Sequence, residues 1–322
     1  MKVSLFIPTW NGEQELQPVL TALAKQPGIE DIEKLAIDSS SSDDTVELLR
    51  SHGFEVEVRP QSEFDHGRTR DAGIERASGD IVLLLTQDAI PADQNWLSSL
   101  ISAYDEPNAA AAYCKQIPRE DCNPFIARRL REWTAGKNER AIQERASAEE
   151  FQSLEPMDRL QRCAYDNVAG SVRKRAWRDL GGFGSRPFGE DVAFGKKAIL
   201  GGYDVVFEAS SAVVHSHNRS PKAEGKRIYC DHQNLRDLFG ILLFPTWQSC
   251  RDGIAWAEVE YVRVVEELGL PDSERDELSG WARDYARWAS LGMFLGARSQ
   301  EHMSGPHGET YRALDRAMHS GI

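Results

Sequence analysis

The chain has 322 residues, enough for one large domain or for a smaller domain with an extension. Its 51 acidic residues outnumber its 38 basic ones, which excludes a protein that grips nucleic acid through lysine and arginine. The apolar run at the amino terminus ends at Pro8, too short for a signal peptide, and no run approaches bilayer length. The expectation is a cytoplasmic protein without a transmembrane segment. Any membrane contact would be peripheral, at the inner face of the cell membrane. The cysteines, Cys114, Cys122, Cys163, Cys230 and Cys250, are odd in number and lack the close pairs of zinc sites, so they read as thiols in a reducing compartment.

In chain order, residues 3–7 form a strand candidate, and Asn11 can cap a helix whose Leu16, Val19, Leu20 and Leu23 fall on one face. Residues 35–38 predict a second strand, Ser42-Asp43-Asp44 the start of a helix, and residues 54–58 an alternating strand. A helix over 68–77 and the Gly79-Asp80 turn lead into the fully apolar run 81–85, which reads as a strand buried on both faces. This alternation predicts an α/β fold with a mostly parallel central sheet flanked by helices. Residues 118–166 turn polar and charged, and read as a helical insertion lying across the sheet rather than core. Residues 168–172, 203–207 and 212–215 are strand-like, with a glycine turn at Gly181-Gly182 and an acidic pair at Glu190-Asp191 between them. From about residue 221 strand patterns stop, which sets the expected domains at 1–220 and 221–322. In the helical extension, Trp281, Tyr285 and Trp288 form a stripe that is usually core at this spacing. A homodimer or membrane-contact face is the alternative.

The strand ends carry polar groups. Pro8-Thr9-Trp10-Asn11 closes the first strand, Asp38 and the serine run after it the second, and Thr86-Gln87-Asp88-Ala89 the apolar one. Ligands bind at this carboxyl edge in open α/β sheets. Asp88 there can hold a divalent cation against a phosphate, or cap the turn ahead of Pro91.

These three strand ends, with the run Phe64-Asp65-His66-Gly67-Arg68-Thr69-Arg70-Asp71-Ala72-Gly73, resemble family 2 glycosyltransferases of the GT-A fold over about residues 1–220, and most resemble a bacterial rhamnosyltransferase-like branch. The resemblance implies an inverting, metal-dependent transferase that moves a sugar from a nucleoside diphosphate (dTDP or UDP) to a glycan or glycolipid hydroxyl in cell-surface polysaccharide synthesis. Rhamnose is the first donor sugar to test. It implies that Asp38 accepts from the ring N–H of the base, a role its acceptor-only carboxylate suits, or else only turns the chain. Pro8, Thr9 and Asn11 would shape the nucleotide pocket, while His66, Arg70 and Gln87 would face the diphosphate. Asp71 departs from the asparagine common in that motif.

By the same resemblance Asp88 holds Mn²⁺ or Mg²⁺, and His215 or His217 returns to the metal, the other partnering a loop carbonyl. Asp191 is implied as the base that takes the acceptor's proton, with Glu190 supporting it; the alternative is that the pair only caps a helix. A sugar nucleotidylyltransferase is a rival reading, but it would carry a glycine-rich, basic loop near the amino terminus, where Pro8-Thr9-Trp10-Asn11-Gly12 stands. A non-catalytic carbohydrate-binding protein of the same fold is the other.

Overall fold

The computed structural model describes residues 1–186 and 188–321, and the chain divides into two compact units, Met1–His217 and Asn218–Ile322. The first unit begins β1 (Val3–Thr9), α1 (Glu13–Leu23), β2 (Glu33–Asp38), α2 (Thr45–Ser51), β3 (Glu55–Val58), α3 (His66–Arg76) and β4 (Ile81–Leu85). It continues with β5 (Ile90–Pro91), α4 (Trp96–Ser102), β6 (Ala109–Ile117), α5 (Pro124–Glu132), β7 (Ala141–Gln143), α6 (Ala148–Ser153) and α7 (Pro156–Arg162). It closes with β8 (Ala169–Arg173), α8 (Lys174–Asp179), α9 (Glu190–Leu200) and β9 (Asp204–Val214).

Among the described residues these strands form one sheet in the order β3-β2-β1-β4-β8-β6-β9-β5, with β7 also paired to β9. The pairings of β1 with β2 and β4, β2 with β3, and β6 with β9 are parallel. Strand β8 runs antiparallel between β4 and β6, and β5 and β7 run antiparallel to β9. The sheet is therefore mixed, with its longer strands pointing one way and their carboxyl ends on one edge.

The core follows from the sequence periods. All five residues of β4 are buried, and the α1 face of Leu16, Val19, Leu20 and Leu23 packs into the same cluster as Leu5 and Ile7 of β1. Each such side chain contributes roughly 1.5–3 kcal/mol by leaving water. Pro8 sits where the β1–β4 pairing has ended at Phe6↔Leu84 while β1–β2 pairing continues to Thr9↔Asp38. A proline, lacking an N–H, is tolerated where one neighbour is absent.

Three expectations change. Strand β6 has no counterpart in the sequence reading, because its buried Ala109–Ala112 lack the branched side chains that signal a strand. The stretch 118–166 is not merely an overlay: β7 pairs with β9, and Phe151, Leu160 and Cys163 are buried. A three-residue strand is too short to show alternation. The two strand-like stretches 203–207 and 212–215 are largely one strand, β9, whose register against β6 shifts between Cys114 and Lys115.

The second unit contains α10 (Pro221–Phe239), α11 (Trp247–Glu267), α12 (Asp272–Ala297), α13 (Ser299–Ser304) and α14 (Gly308–His319). Helices α10 and α12 approach closely: a Cβ at Gly292 would lie 2.5 Å from the Gly225 carbonyl oxygen, and one at Gly296 2.3 Å from that of Tyr229. The aromatic stripe is internal packing, with Tyr285 buried and stacked on Trp281 and Tyr261, and Trp288 against Gly225. No helix among the described residues is long and apolar enough to cross a membrane.

Helix α3 lies so close to β1 that a Cβ at Gly73 would meet the buried Phe6 ring at 2.4 Å. Gly73→Ala is expected to lower stability by about 1–3 kcal/mol through overpacking, partly offset by about 1 kcal/mol of helix propensity. An unchanged urea midpoint would show that α3 can shift away from β1 freely.

Candidate active site

Three clusters of polar side chains lie along the carboxyl edge of the sheet. The first joins β1 and β2. Asp38 is fully buried; its Oδ2 accepts from Thr9 Oγ1 at 2.9 Å and Ser41 Oγ at 2.6 Å, and its Oδ1 from Ser41 N at 2.8 Å. Ser41 Oγ in turn accepts from Asn11 N at 2.7 Å. Asn11 and Ser40 adopt left-handed backbone conformations, with φ of 42° and 59°. Asn11 does not cap α1. Gly12 occupies that position, and Asn11 Oδ1 instead accepts from Ser42 N at 2.8 Å, tying the two loops together. Both oxygens of Asp38, the residue expected at the base N–H, accept from Thr9 and Ser41 in this arrangement.

Gln87 links this cluster to β4. Its Oε1 accepts from Trp10 N at 2.9 Å and its Nε2 donates to Trp10 O at 3.2 Å, so one amide holds the backbone of Trp10 from both sides.

The second cluster joins β4 and β9. Register helps to set it: β5 pairs with β9 antiparallel through Ile90↔Val214, next to the segments that carry Asp88 and the two histidines. Asp88 Oδ2 lies 3.4 Å from His215 Nε2 and 3.2 Å from His217 Nε2, and the two Nε2 atoms are 3.1 Å apart. One carboxylate oxygen and two imidazole nitrogens thus fall within 4.8 Å of one another, a donor set fit for a divalent cation. Burial pushes the Asp88 carboxyl up, but the hydrogen bond and charge that His215 supplies when its ring is protonated, the charge of a protonated His217 and a bond from Thr86 outweigh it. The carboxyl is held well below its ordinary range.

The third cluster joins α3 and α9. Arg70 and Glu190 are both buried and meet at 3.3 Å; Arg70 Nη1 also donates to the His66 carbonyl at 3.0 Å, and Glu190 Oε1 accepts from Asn167 Nδ2 at 3.2 Å. The sequence expectation gave Arg70 to a diphosphate, whereas in the structure its cation serves a carboxylate of the same chain. His66 is exposed, with its ring edge-on to Phe64 at 4.8 Å. Asp191 is the second residue of α9, which starts after Gly189 with its φ of 70°, and its Oδ1 accepts from Val192 N at 2.7 Å. Burial first, then the negative charges of Glu190 and Asp166, push the Asp191 carboxyl well above its ordinary range.

The residues between the clusters escaped the sequence reading. His215 Nδ1 is 3.1 Å from Gln116 Oε1, and Gln116 Nε2 donates to Asp166 Oδ2. Burial raises the Asp166 carboxyl as well. Arg119 donates through Nη2 to the Asp88 carbonyl at 3.2 Å and through its backbone N to Ser216 Oγ at 3.0 Å, bracing the second cluster. A carboxylate-amide pair, Asp166-Asn167, directly before a predicted strand was the available signal. Gln116 gave none, since β6 itself was hidden.

With this geometry in view the relatives are informative. Residues 4–167, about half of the chain, match the family described as Glycosyl transferase family 2. The chain belongs to that family. It is 30% identical over 232 residues to the O-antigen chain rhamnosyltransferase RfbN of Salmonella typhimurium, covering 71% of each chain. It is 31% identical over 229 residues to the O-antigen chain rhamnosyltransferase WbaN of Salmonella anatum, covering 70% of each. The mannosyltransferase PcManGT of Pyrobaculum calidifontis, solved in complex with GDP-Man and Mn²⁺, superposes with a TM-score of 0.53 at 14% identity, over 98% of this chain and 84% of that one. Residues 1–349 of Staphylococcus aureus TarS superpose with a TM-score of 0.51 at 17% identity, over 98% of this chain and 92% of that one. The fold is GT-A, and the protein is a glycosyltransferase, so the nucleotidylyltransferase and binding-protein readings fall away.

In this glycosyltransferase the His66-to-Asp71 motif docks the loop that leads to Asp191. Asp71 Oδ1 accepts from Trp177 Nε1 and Phe183 N, and its Oδ2 from Gly184 N, each at 2.8 Å. Asp65 caps α3 through Arg68 N and accepts from Ser185 Oγ at 2.7 Å, and a Cβ at Gly67 would lie 1.9 Å from the Gly184 carbonyl oxygen. Asparagine at 71 would offer one acceptor oxygen where the loop supplies donors to two. Asp71→Asn is therefore expected to speed amide exchange by tenfold or more at whichever of Phe183 and Gly184 loses its acceptor, since a lost bond to a charged acceptor is worth roughly 1.5–3 kcal/mol. Unchanged exchange at both amides would refute the docking role.

Proposed function

We propose that this enzyme transfers a sugar with inversion from a nucleoside diphosphate to a glycan or glycolipid hydroxyl, in a metal-dependent reaction with Asp191 as the base. The observation that carries the reading is the meeting of Asp88, His215 and His217 on the edge that also bears Asp191. Asp88, His215 and His217 would hold the cation, their mixed oxygen and nitrogen donors favouring Mn²⁺ over Mg²⁺. When bound there, a divalent cation supplies positive charge against the diphosphate leaving group.

The remaining steps belong to the chain itself. A sugar hydroxyl is a poor nucleophile, and Asp191 accepts its proton as the oxygen bonds to the anomeric carbon and the bond from that carbon to the diphosphate breaks. A carboxyl with a raised pKa is the stronger base once ionised, which suits Asp191 to the task. Glu190, held by Arg70 and Asn167, fixes the first turn of α9 and with it Asp191. Around the nucleotide, Pro8, Thr9, Asn11 and Gln87 set the rim of the site. Asp38 acts beneath that rim by holding Ser41 in place.

The names of the two Salmonella relatives support rhamnose as the sugar and a cell-surface polysaccharide as the acceptor. A screen of thymidine, uridine and guanosine diphosphate sugars with Mn²⁺, reading released nucleoside diphosphate, tests this. Release is expected with dTDP-rhamnose in the presence of an O-antigen-type acceptor, and release only from other donors would refute the rhamnose assignment.

Asp191→Asn is expected to lower kcat by roughly 10² to 10⁴ while the donor dissociation constant stays the same; near-normal turnover would remove Asp191 as base. Because the base must be ionised, kcat/KM should rise with pH through a pKa above the ordinary carboxylate range. Glu190→Gln, which removes a neighbouring negative charge, should shift that acid limb to lower pH. An unshifted limb, or one at the ordinary carboxylate value, would contradict the assignment.

A further inference from the structure

We propose that Gln116 and Asp166 are positioning residues that fix the Nδ1–H tautomer of His215, so that its Nε2 lone pair points at Asp88 and His217. The proposal rests on the reading of those three residues as a cation site. The bonds start at Asp166. One oxygen of that carboxylate accepts from Val168 N at 2.7 Å, and the other from Gln116 Nε2. Both carboxylate oxygens accept, and with its NH₂ donating to Asp166 the Gln116 amide turns its Oε1 toward His215. Oε1 in turn only accepts, so the His215 Nδ1, 3.1 Å away, must carry the proton.

In a neutral imidazole a proton on Nδ1 leaves Nε2 with a free lone pair. That nitrogen lies 3.4 Å from Asp88 Oδ2 and 3.1 Å from His217 Nε2. The backbone keeps the arrangement in register. Gln116 and Ile117 pair with Val213 and Val214, and His215 N donates to the Ile117 carbonyl at 2.9 Å, so the two side chains sit side by side at the strand ends. Both Gln116 and His215 are less than a tenth exposed, which limits competition by water for the amide oxygen. A partner that orients a metal-ligating histidine commonly changes affinity by 10- to 100-fold.

Two measurements test this, and neither needs turnover. Long-range ¹⁵N–¹H correlation on the metal-free wild-type protein, at a pH where the ring is neutral, should report the proton of His215 on Nδ1; a proton on Nε2 overturns the proposal. Mn²⁺ binding, read as the free-ion electron paramagnetic resonance signal, should weaken about 10- to 100-fold in Gln116→Met. Wild-type affinity in a folded Gln116→Met protein overturns the positioning role. Unaltered Mn²⁺ binding in Asp88→Ala would instead discard the cation site itself, and the tautomer result would still decide what Gln116 does.

Discussion

The site depends on a pairing of only two residues. Strands β4 and β9 are separated in the sheet by β8 and β6, and the chain brings their ends together by turning directly after β4 and laying Ile90-Pro91 antiparallel on β9. Ala92 N extends the contact with a bond to the Ala212 carbonyl at 2.9 Å. A strand this short adds little stability of its own. Its value lies in register, because a slip by one residue would turn the neighbouring side chains to the opposite face. It sets Asp88 among His215 and His217, and Arg119 braces the same two segments from the third side.

A second layer of organisation surrounds the loop before α9. Asp65, Gly67 and Asp71 of the α3 region hold residues 182–185, and Arg70 meets Glu190 at the first turn of α9. A buried ion pair gains little net energy over an apolar contact, yet removing one partner is costly because the other is left charged and dry. That asymmetry locks α3 to α9 in one arrangement. The motif that resembles a donor-binding signature also joins two helices.

Much of this was legible in the chain. The apolar run of β4 placed Asp88 at an edge, the stripe of α1 placed the core, and the histidines after β9 fell where a cation ligand was expected. What stayed hidden was pairing across distance. Nothing local says that Arg70 meets a carboxylate 120 positions away, or that Gln116, on an alanine-rich strand, reaches the Asp166 carboxylate. Asp38 shows the same limit. Its place at the end of β2 was readable, but its burial and its bonds from Ser41, beside left-handed backbone at Ser40, were not.

One feature of the rim has an optical meaning. Trp10 is about half exposed, 49%, while both polar groups of its backbone are clamped by Gln87. An indole so held has a fixed anchor and an open face. A change in its emission would report contact at that face, above the background of the seven other tryptophans.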